Sequence, residues 1–218
     1  MSALALPLNE VHVWKARLDL DPEELSRLAQ TLSTDEQARA ARYRFEVHRR
    51  RFIAARGCLR RLLAQYLGCQ AAAVRFRYGP SGKPAVVSEA DLRFNVSHSD
   101  DVALYAFAQG REVGIDVERI RETTGWERIA GRYFTPGERA LLEAVPPTLR
   151  VAAFFQLWTR KEAYLKARGE GLRFGRLEAE PDNDPGWWVV ALEAPLGYAA
   201  ALAVEATPPV PMLRRMST

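Results

Sequence analysis

Apolar residues alternate with polar ones, or follow one another without a break, along seven short segments of this chain. These are the patterns of half-buried and fully buried β-strands. Between them, apolar residues recur at helical spacing, most clearly over 52–67. Asp21 and Thr135 each precede a proline as predicted N-caps, and Gly68 is a predicted C-terminal cap. We predict an irregular tail from Thr207 and strands over 11–18, 74–78, 92–99, 102–108, 113–118, 187–192 and 197–206.

Helices and strands are mixed in both halves of the chain, which predicts an α/β fold of the α+β kind. Each half runs from helices to paired strands and ends in a similar apolar strand, over 103–108 and 199–204. This likeness suggests a duplicated unit, although few residues are identical. We therefore predict two lobes, 1–110 and 111–218.

Two acidic residues, Asp116 and Glu118, occupy alternate positions of one predicted strand and should share a face of it. A later segment without proline or glycine predicts a helix, on which Glu162 and Lys166 lie one turn apart. Three carboxylates suit a hard divalent cation, because Mg²⁺ prefers oxygen ligands and often takes the others from substrate phosphates. The pattern predicts a magnesium-dependent phosphate chemistry in which Lys166 neutralises phosphate charge.

Both segments also have a plainer interpretation. Alternating acids commonly mark the solvated face of a strand, and helices rich in lysine and glutamate commonly owe their charges to solubility. The choice between the two interpretations depends on whether other parts of the chain also offer groups for phosphates.

Composition narrows the class of protein. The chain has 218 residues, of which 48% are hydrophobic and 27% charged, as in an ordinary globular protein. No apolar run is long enough to cross a bilayer, and the N-terminal residues lack a signal-peptide pattern, so we expect a cytoplasmic protein without a membrane partner. Cys58 and Cys69 form no CxxC pair and the three histidines are widely scattered, which argues against zinc sites and disulfide scaffolds.

The net charge of +4 is concentrated in one basic segment, since nine arginines and a single acid lie between Arg39 and Arg61. Such a concentration indicates an anionic partner. Arg51 and Arg56 flank the apolar stripe of the long helix, where each can bury its stem and still reach an anion. Arg50 falls on the opposite, solvated face.

Two more segments offer groups for phosphates. The loop 79–84 presents Lys83 among prolines and glycines, and Ser97, His98 and Ser99 lie near the end of a strand. Loops of this composition are often simple turns, and His98 could equally be a satisfied loop histidine. The chain has no nucleophile elbow, so the Ser–His pair does not predict a hydrolase.

Together these segments resemble the signature of phosphopantetheinyl transferases. The motifs occur in the family's order and are Gly82-Lys83-Pro84, Asn95-Val96-Ser97-His98-Ser99, Gly114-Ile115-Asp116-Val117-Glu118 and Trp158-x-x-Lys161-Glu162-Ala163-x-x-x-Lys166. The chain length and the two halves are similar to the surfactin-synthetase-activating type. That resemblance implies a monomer folded as a pseudo-dimer of two similar lobes, each a small antiparallel-rich sheet packed with helices.

The resemblance implies transfer of the 4′-phosphopantetheine arm of coenzyme A to a serine of an apo carrier protein, either acyl, polyketide or peptidyl. The product released would be adenosine 3′,5′-bisphosphate. Implied Mg²⁺ ligands are Asp116, Glu118 and Glu162, and implied catalytic residues are Glu162, Lys166 and His98. Implied coenzyme A contacts are Arg51, Arg56, Lys83, Pro84, Ser97, His98, Lys161 and Lys166. Glu138 occupies the position of a family acid beside the metal, and Arg42 and Arg44 are possible counterparts of N-terminal basic residues found in some members.

Three alternatives stay open at this point. One is a different magnesium-dependent phosphotransferase, against which the chain has no Walker-type or kinase glycine loop. Another is a nucleic-acid-binding protein, but the sequence contains no helix-turn-helix, zinc finger or RNA-recognition signature, so we expect no nucleic-acid partner. The third is a protein that binds coenzyme A without turning it over.

Overall fold

The structure is a computed structural model that describes residues 3–79, 82–122, 125–169, 181–206 and 212–217. Its helices are Pro22–Ala29 (α1), Thr34–Ala41 (α2), Glu46–Leu67 (α3), Trp126–Tyr133 (α4), Pro136–Ala144 (α5) and Arg150–Arg168 (α6). Its strands are Glu10–Arg17 (β1), Phe76–Tyr78 (β2), Pro84–Val86 (β3), Leu92–Ser99 (β4), Val102–Gln109 (β5), Val113–Arg119 (β6), Trp187–Ala191 (β7), Tyr198–Glu205 (β8) and Met212–Ser217 (β9). The mixed α/β class predicted from the sequence is confirmed.

Two sheets pack face to face between two long helices. The order of strands is β4-β5-β1-β9 in one sheet and β6-β8-β7 in the other, and β2 pairs with β3 in a separate hairpin. Alternate residues of β5 serve different layers, since Tyr105 and Phe107 pack with α3 whereas Leu104 and Ala106 pack with β6 and β8. Both faces of β5 are therefore buried, which explains why its sequence is apolar at nearly every position.

The second long helix, α6, packs against the outer face of β8. Alanines line this contact, with Ala201 and Ala203 of β8 meeting Ala163 and Ala167 of α6. Small side chains let the helix backbone come close to the sheet. The order of layers is thus α3, first sheet, second sheet and α6, and the polar face of β6 is directed toward α6.

Two predicted elements differ from the structure. Helix α3 begins at Glu46, six residues before the predicted start at 52, because its first turns are charged and carry no apolar period. The prediction of an irregular tail was wrong for Met212–Ser217, which forms β9 parallel to β1; residues 207–211 lie outside the described residues. Strand β9, from the end of the chain, thus joins the sheet that contains β1, β4 and β5. Among the described helices, none combines the length and the apolar character needed to cross a membrane.

Candidate active site

The two carboxylates of β6 lie where the alternation of the strand predicts. Ile115 and Val117 are fully buried between the two sheets. Successive side chains of a strand point to opposite faces, so Asp116 and Glu118 project to the other side, toward α6. Asp116 is only 2% exposed, so it needs a positively charged partner.

Helix α6 lies unusually close to β6 at Gly114. A Cβ atom built on Gly114 would stand 2.0 Å from the carbonyl oxygen of Ala163 and 2.3 Å from the backbone nitrogen of Ala167. Only glycine leaves room for this contact. The residues of α6 on either side of the contact, Glu162 and Lys166, are thereby placed beside the carboxylates of β6.

Lys166 joins the two sides of the site. Its Nζ donates to Asp116 Oδ1 at 2.6 Å and to Ser97 Oγ at 3.0 Å, while Ser97 Oγ donates to the same Asp116 oxygen at 2.8 Å. Two buried carboxylate oxygens, Asp116 Oδ2 and Glu162 Oε1, have no hydrogen-bond partner among the described residues. Each is a site where a ligand or cation can be accepted at little cost.

The three carboxylates are close enough to act on one another. Burial, followed by the charges of Asp116 and Glu118, raises the pKa of Glu162 to about 7, against the opposing effect of Lys166. Burial and Asp116 likewise raise the pKa of Glu118, while a hydrogen bond from Ser99 and the charge of Lys166 lower it. A single lysine does not neutralise three carboxylates, so the cluster favours a further cation.

The donor set of this cluster fits a magnesium-type ion, since it consists of carboxylate oxygens and includes the two unpartnered oxygens. As the side chains are arranged, no group of three or more histidines, cysteines, aspartates or glutamates among the described residues is compact enough to count as a formed metal site. Lys166, rather than a carboxylate, is the neighbour nearest to Asp116 Oδ1.

His98 lies on the other face of β4 from Ser97 and Ser99, because neighbouring residues of a strand point to opposite sides. It keeps contact with solvent, yet the protein atoms around it reduce its hydration. This burial, followed by the charges of Lys166 and Arg39, lowers the pKa of His98. The charge of Arg39 of α2 thus reaches His98, although no sequence signal singles out Arg39 among the nine arginines of the basic segment.

Lys83 has a different environment from the predicted one. Its Nζ donates to Glu112 Oε2 at 2.9 Å, to the Ala167 carbonyl at 3.0 Å and to the Val113 carbonyl at 3.3 Å. An ammonium group has three N–H donors, and these contacts use all of them. Lys83 thus fastens the first lobe to the C-terminal end of α6, and Pro84 follows it as the first residue of β3.

Arg56 is also held inside the first lobe rather than at the cluster. It lies 3.5 Å from Glu36, whose other oxygen accepts from the fully buried Arg60 at 2.6 Å, and it stacks over Phe76. Arg51 is paired with both oxygens of Asp19 and lies near Asp100, in the turn after β4. Both arginines are thus paired with carboxylates of the protein, Arg56 with Glu36 and Arg51 with Asp19.

Lys161 and Glu138 form a buried ion pair on the side of α6 away from the carboxylates of β6. Lys161 Nζ donates to Glu138 Oε2 at 2.6 Å and to the Tyr133 carbonyl at 2.9 Å. Glu138 also accepts from the backbone nitrogen of Thr135 in the capping box of α5. The pair anchors α5 to α6.

Lys161→Met should lower the free energy of unfolding by about 3 kcal/mol, because it leaves Glu138 buried without its cation. The double variant Lys161→Met/Glu138→Gln should recover most of this loss, since the amide oxygen can still accept from Thr135. Urea unfolding curves of the two variants measure both effects. If Lys161→Met unfolded like the original protein and only weakened coenzyme A binding, Lys161 would be a ligand contact instead.

Both halves of the chain match known protein families. A family model described as the 4′-phosphopantetheinyl transferase superfamily matches residues 112–203, and one described as 4′-phosphopantetheinyl transferase, N-terminal, matches residues 17–109. The two matches meet between residues 109 and 112, which fits a two-lobed fold.

Curated relatives carry the same description. The 4′-phosphopantetheinyl transferase HetI of Nostoc sp. is 42% identical over 213 residues, which cover 92% of this chain and 90% of the relative. The 4′-phosphopantetheinyl transferase gsp of Aneurinibacillus migulanus is 33% identical over 154 residues, covering 71% of this chain and 63% of the relative. AcpT of Escherichia coli (strain K12), with the same description, is 47% identical over 93 residues, or 42% of this chain and 47% of the relative.

Proposed function

Because this chain belongs to the 4′-phosphopantetheinyl transferase family, we propose that it transfers the 4′-phosphopantetheine arm of coenzyme A to a serine of an apo carrier protein in a magnesium-dependent reaction. The observation that carries the proposal is the buried cluster of Asp116, Glu118 and Glu162 facing Lys166. It combines oxygen ligands for a cation, a group that can take a proton near neutral pH and a lysine for phosphate.

Asp116, Glu118 and Glu162 would hold the metal, with the unpartnered oxygens of Asp116 and Glu162 as its natural ligands. A bound Mg²⁺ supplies positive charge for the pyrophosphate of coenzyme A as negative charge develops on it. The carboxylates gain as well, because their mutual repulsion is relieved.

In the proposed reaction the carrier's serine oxygen forms a bond to the phosphorus that bears the pantetheine arm. The bond between that phosphorus and the oxygen bridging to the nucleotide breaks, and adenosine 3′,5′-bisphosphate leaves. Glu162 takes the proton of the serine, directly or through a water, as the general base of the reaction. Lys166 gives a hydrogen bond, and finally a proton, to the leaving phosphate.

We assign the other phosphate of coenzyme A, at the 3′ position of its ribose, to the surroundings of His98. The charges of Lys166 and Arg39 both act on this imidazole and lower its pKa. An anion placed there would favour protonated His98 and so strengthen its own binding. Ser97 would lie within reach of the pyrophosphate that Lys166 contacts in the proposed reaction, because the Ser97 hydroxyl accepts a hydrogen bond from Lys166.

We propose an acidic carrier protein as the second substrate. Arg42, Arg44 and Arg49 are exposed on the basic segment and would attract such a partner by long-range electrostatics. The carboxylate cluster and the side chains of β4 beside it come from one chain, so a monomer is sufficient to form the site.

The direct test is the intact mass of a purified apo carrier after incubation with the protein, coenzyme A and MgCl₂. We expect the carrier to gain one phosphopantetheine, and the gain to disappear in EDTA. Acyl, polyketide and peptidyl carriers are assayed side by side. The control for each carrier is a variant in which the modified serine is replaced by alanine. Coenzyme A binding without a mass gain on any carrier would contradict the proposal and support the non-catalytic alternative.

A further inference from the structure

The carboxylate cluster is held from the other lobe by a row of side chains on β4. Strands β4 and β6 belong to different sheets and form no backbone ladder with each other, yet they lie next to one another. Asn95, Ser97 and Ser99 occupy alternate positions of β4 and share the face that meets β6. All three are buried, with exposed fractions of 6%, 7% and 8%.

Each member of the row makes a hydrogen bond to β6. Asn95 Oδ1 accepts from the backbone nitrogen of Ile115 at 3.0 Å, Ser97 Oγ donates to Asp116 at 2.8 Å, and Ser99 Oγ donates to Glu118 Oε2 at 2.9 Å. Side-chain hydrogen bonds thus replace the absent ladder. They fix the register of β6 against β4 at Ile115, Asp116 and Glu118.

Ser99 makes two hydrogen bonds to β6. Its oxygen also accepts from the backbone nitrogen of Arg119 at 3.1 Å. Because that N–H occupies a lone pair of the hydroxyl, the hydroxyl hydrogen remains for Glu118. The carboxylate of Glu118 is consequently held at one of its two oxygens, Oε2.

We propose that Ser99 is a positioning residue, which orients the carboxylate of Glu118 for the metal from the opposite lobe. The inference rests on the proposed function, since it concerns the ion that the cluster would hold. Partners that orient a metal-binding carboxylate commonly change metal affinity by 10- to 100-fold when they are removed. Ser99 itself touches neither substrate nor metal in this assignment.

The experiment compares Ser99→Ala with Ser99→Thr and measures Mg²⁺ binding directly, by calorimetric titration of MgCl₂ into the protein saturated with coenzyme A. We expect Ser99→Ala to bind Mg²⁺ about 10-fold more weakly and to need about 10-fold more Mg²⁺ for half-maximal transfer, with an unchanged KM for the carrier. Ser99→Thr keeps the hydroxyl and should stay within about 3-fold of the original affinity.

Tyr105→Phe is the matched control, because it deletes another buried hydroxyl, which donates to the Ala55 carbonyl at 2.9 Å in the core of the first lobe. Melting temperatures in EDTA should fall by similar amounts in Tyr105→Phe and Ser99→Ala. Only Ser99→Ala should lose Mg²⁺ affinity.

Two results would overturn the inference while leaving the proposed function intact. One is a Ser99→Ala protein that transfers the arm and binds Mg²⁺ like the original, and the other is an equal loss of affinity in Tyr105→Phe. If the original protein neither binds Mg²⁺ nor modifies any carrier, the proposed function fails and the inference fails with it. A 10-fold loss confined to Ser99→Ala and restored by Ser99→Thr supports it.

Discussion

Replacement of Glu162 by glutamine should abolish transfer and, at pH 8, make the metal-free protein more stable. The charged form of Glu162 is disfavoured by burial and by two neighbouring carboxylates, which raises its pKa from 4.5 to about 7. A shift of this size corresponds to a cost of about 3 kcal/mol for keeping the carboxylate ionised in the folded protein. Glutamine has the same shape without the charge, so it removes that cost.

The pH dependence follows from the direction of this shift. Below pH 4.5 the carboxyl group of Glu162 is protonated in both the folded and the unfolded chain, and glutamine brings no advantage. Between pH 4.5 and about 7 the folded state binds more protons than the unfolded state, so the original protein loses stability as the pH rises. Above pH 7 the difference between the two proteins should be constant and largest.

We expect the transfer rate of Glu162→Gln to fall by about 10³-fold or more, because a proton acceptor and a metal ligand are lost together. Urea unfolding at pH 4.5 and pH 8 in EDTA measures stability, and intact carrier mass measures transfer. Glu143→Gln, an exposed glutamate of α5, is the control and should change neither. Near-normal transfer by Glu162→Gln would show that Glu162 has no part in the reaction.

Gly114→Ala should have the largest effect on the fold of the site. The added methyl group would meet the Ala163 carbonyl oxygen at 2.0 Å and the Ala167 backbone nitrogen at 2.3 Å. Both are backbone atoms of α6, so no side chain can turn aside, and β6 and α6 have to separate by about 1 Å or more. We expect a loss of about 4 kcal/mol or more in the free energy of unfolding, together with loss of transfer.

The matched control for Gly114→Ala is Gly131→Ala in α4, where a Cβ atom meets nothing within 4 Å. Alanine has the higher helix propensity there, so stability should rise by about 0.5–1 kcal/mol. Unfolding curves and carrier modification are measured for both variants. A Gly114→Ala protein with the stability and activity of the original would contradict the close packing of β6 on α6.

Much of the site could be predicted because its signals are local. The alternation over β6 put Asp116 and Glu118 on one face, and the helical spacing put Glu162 and Lys166 one turn apart. The resemblance to a family then predicted that the two segments contribute to one site, which periodicity alone could not establish. The caps at Asp21, Thr135 and Gly68 were predicted for the same local reason.

The roles of the basic residues depended on tertiary structure. Lys83, Arg56 and Lys161 each carry a charge that the sequence made available for phosphate, but each is occupied by acids or carbonyls of a neighbouring layer. Arg39, unremarkable in the sequence, lies near His98. The partner of a charged side chain depends on which elements pack together. Ion pairs between elements far apart in the chain leave no periodic pattern in the sequence from which they could be predicted.

By itself, the sequence determined the α/β class, most of the helices and strands, and the four residues of the cluster, because period and capping depend on neighbours within a few positions. Only the tertiary structure decided that β9 completes the sheet of the first lobe. It also decided that Gly114 lets α6 approach β6, and that Ser99 of the first sheet holds Glu118 of the second. These features depend on elements far apart in the chain, brought together by the burial of apolar surface between layers.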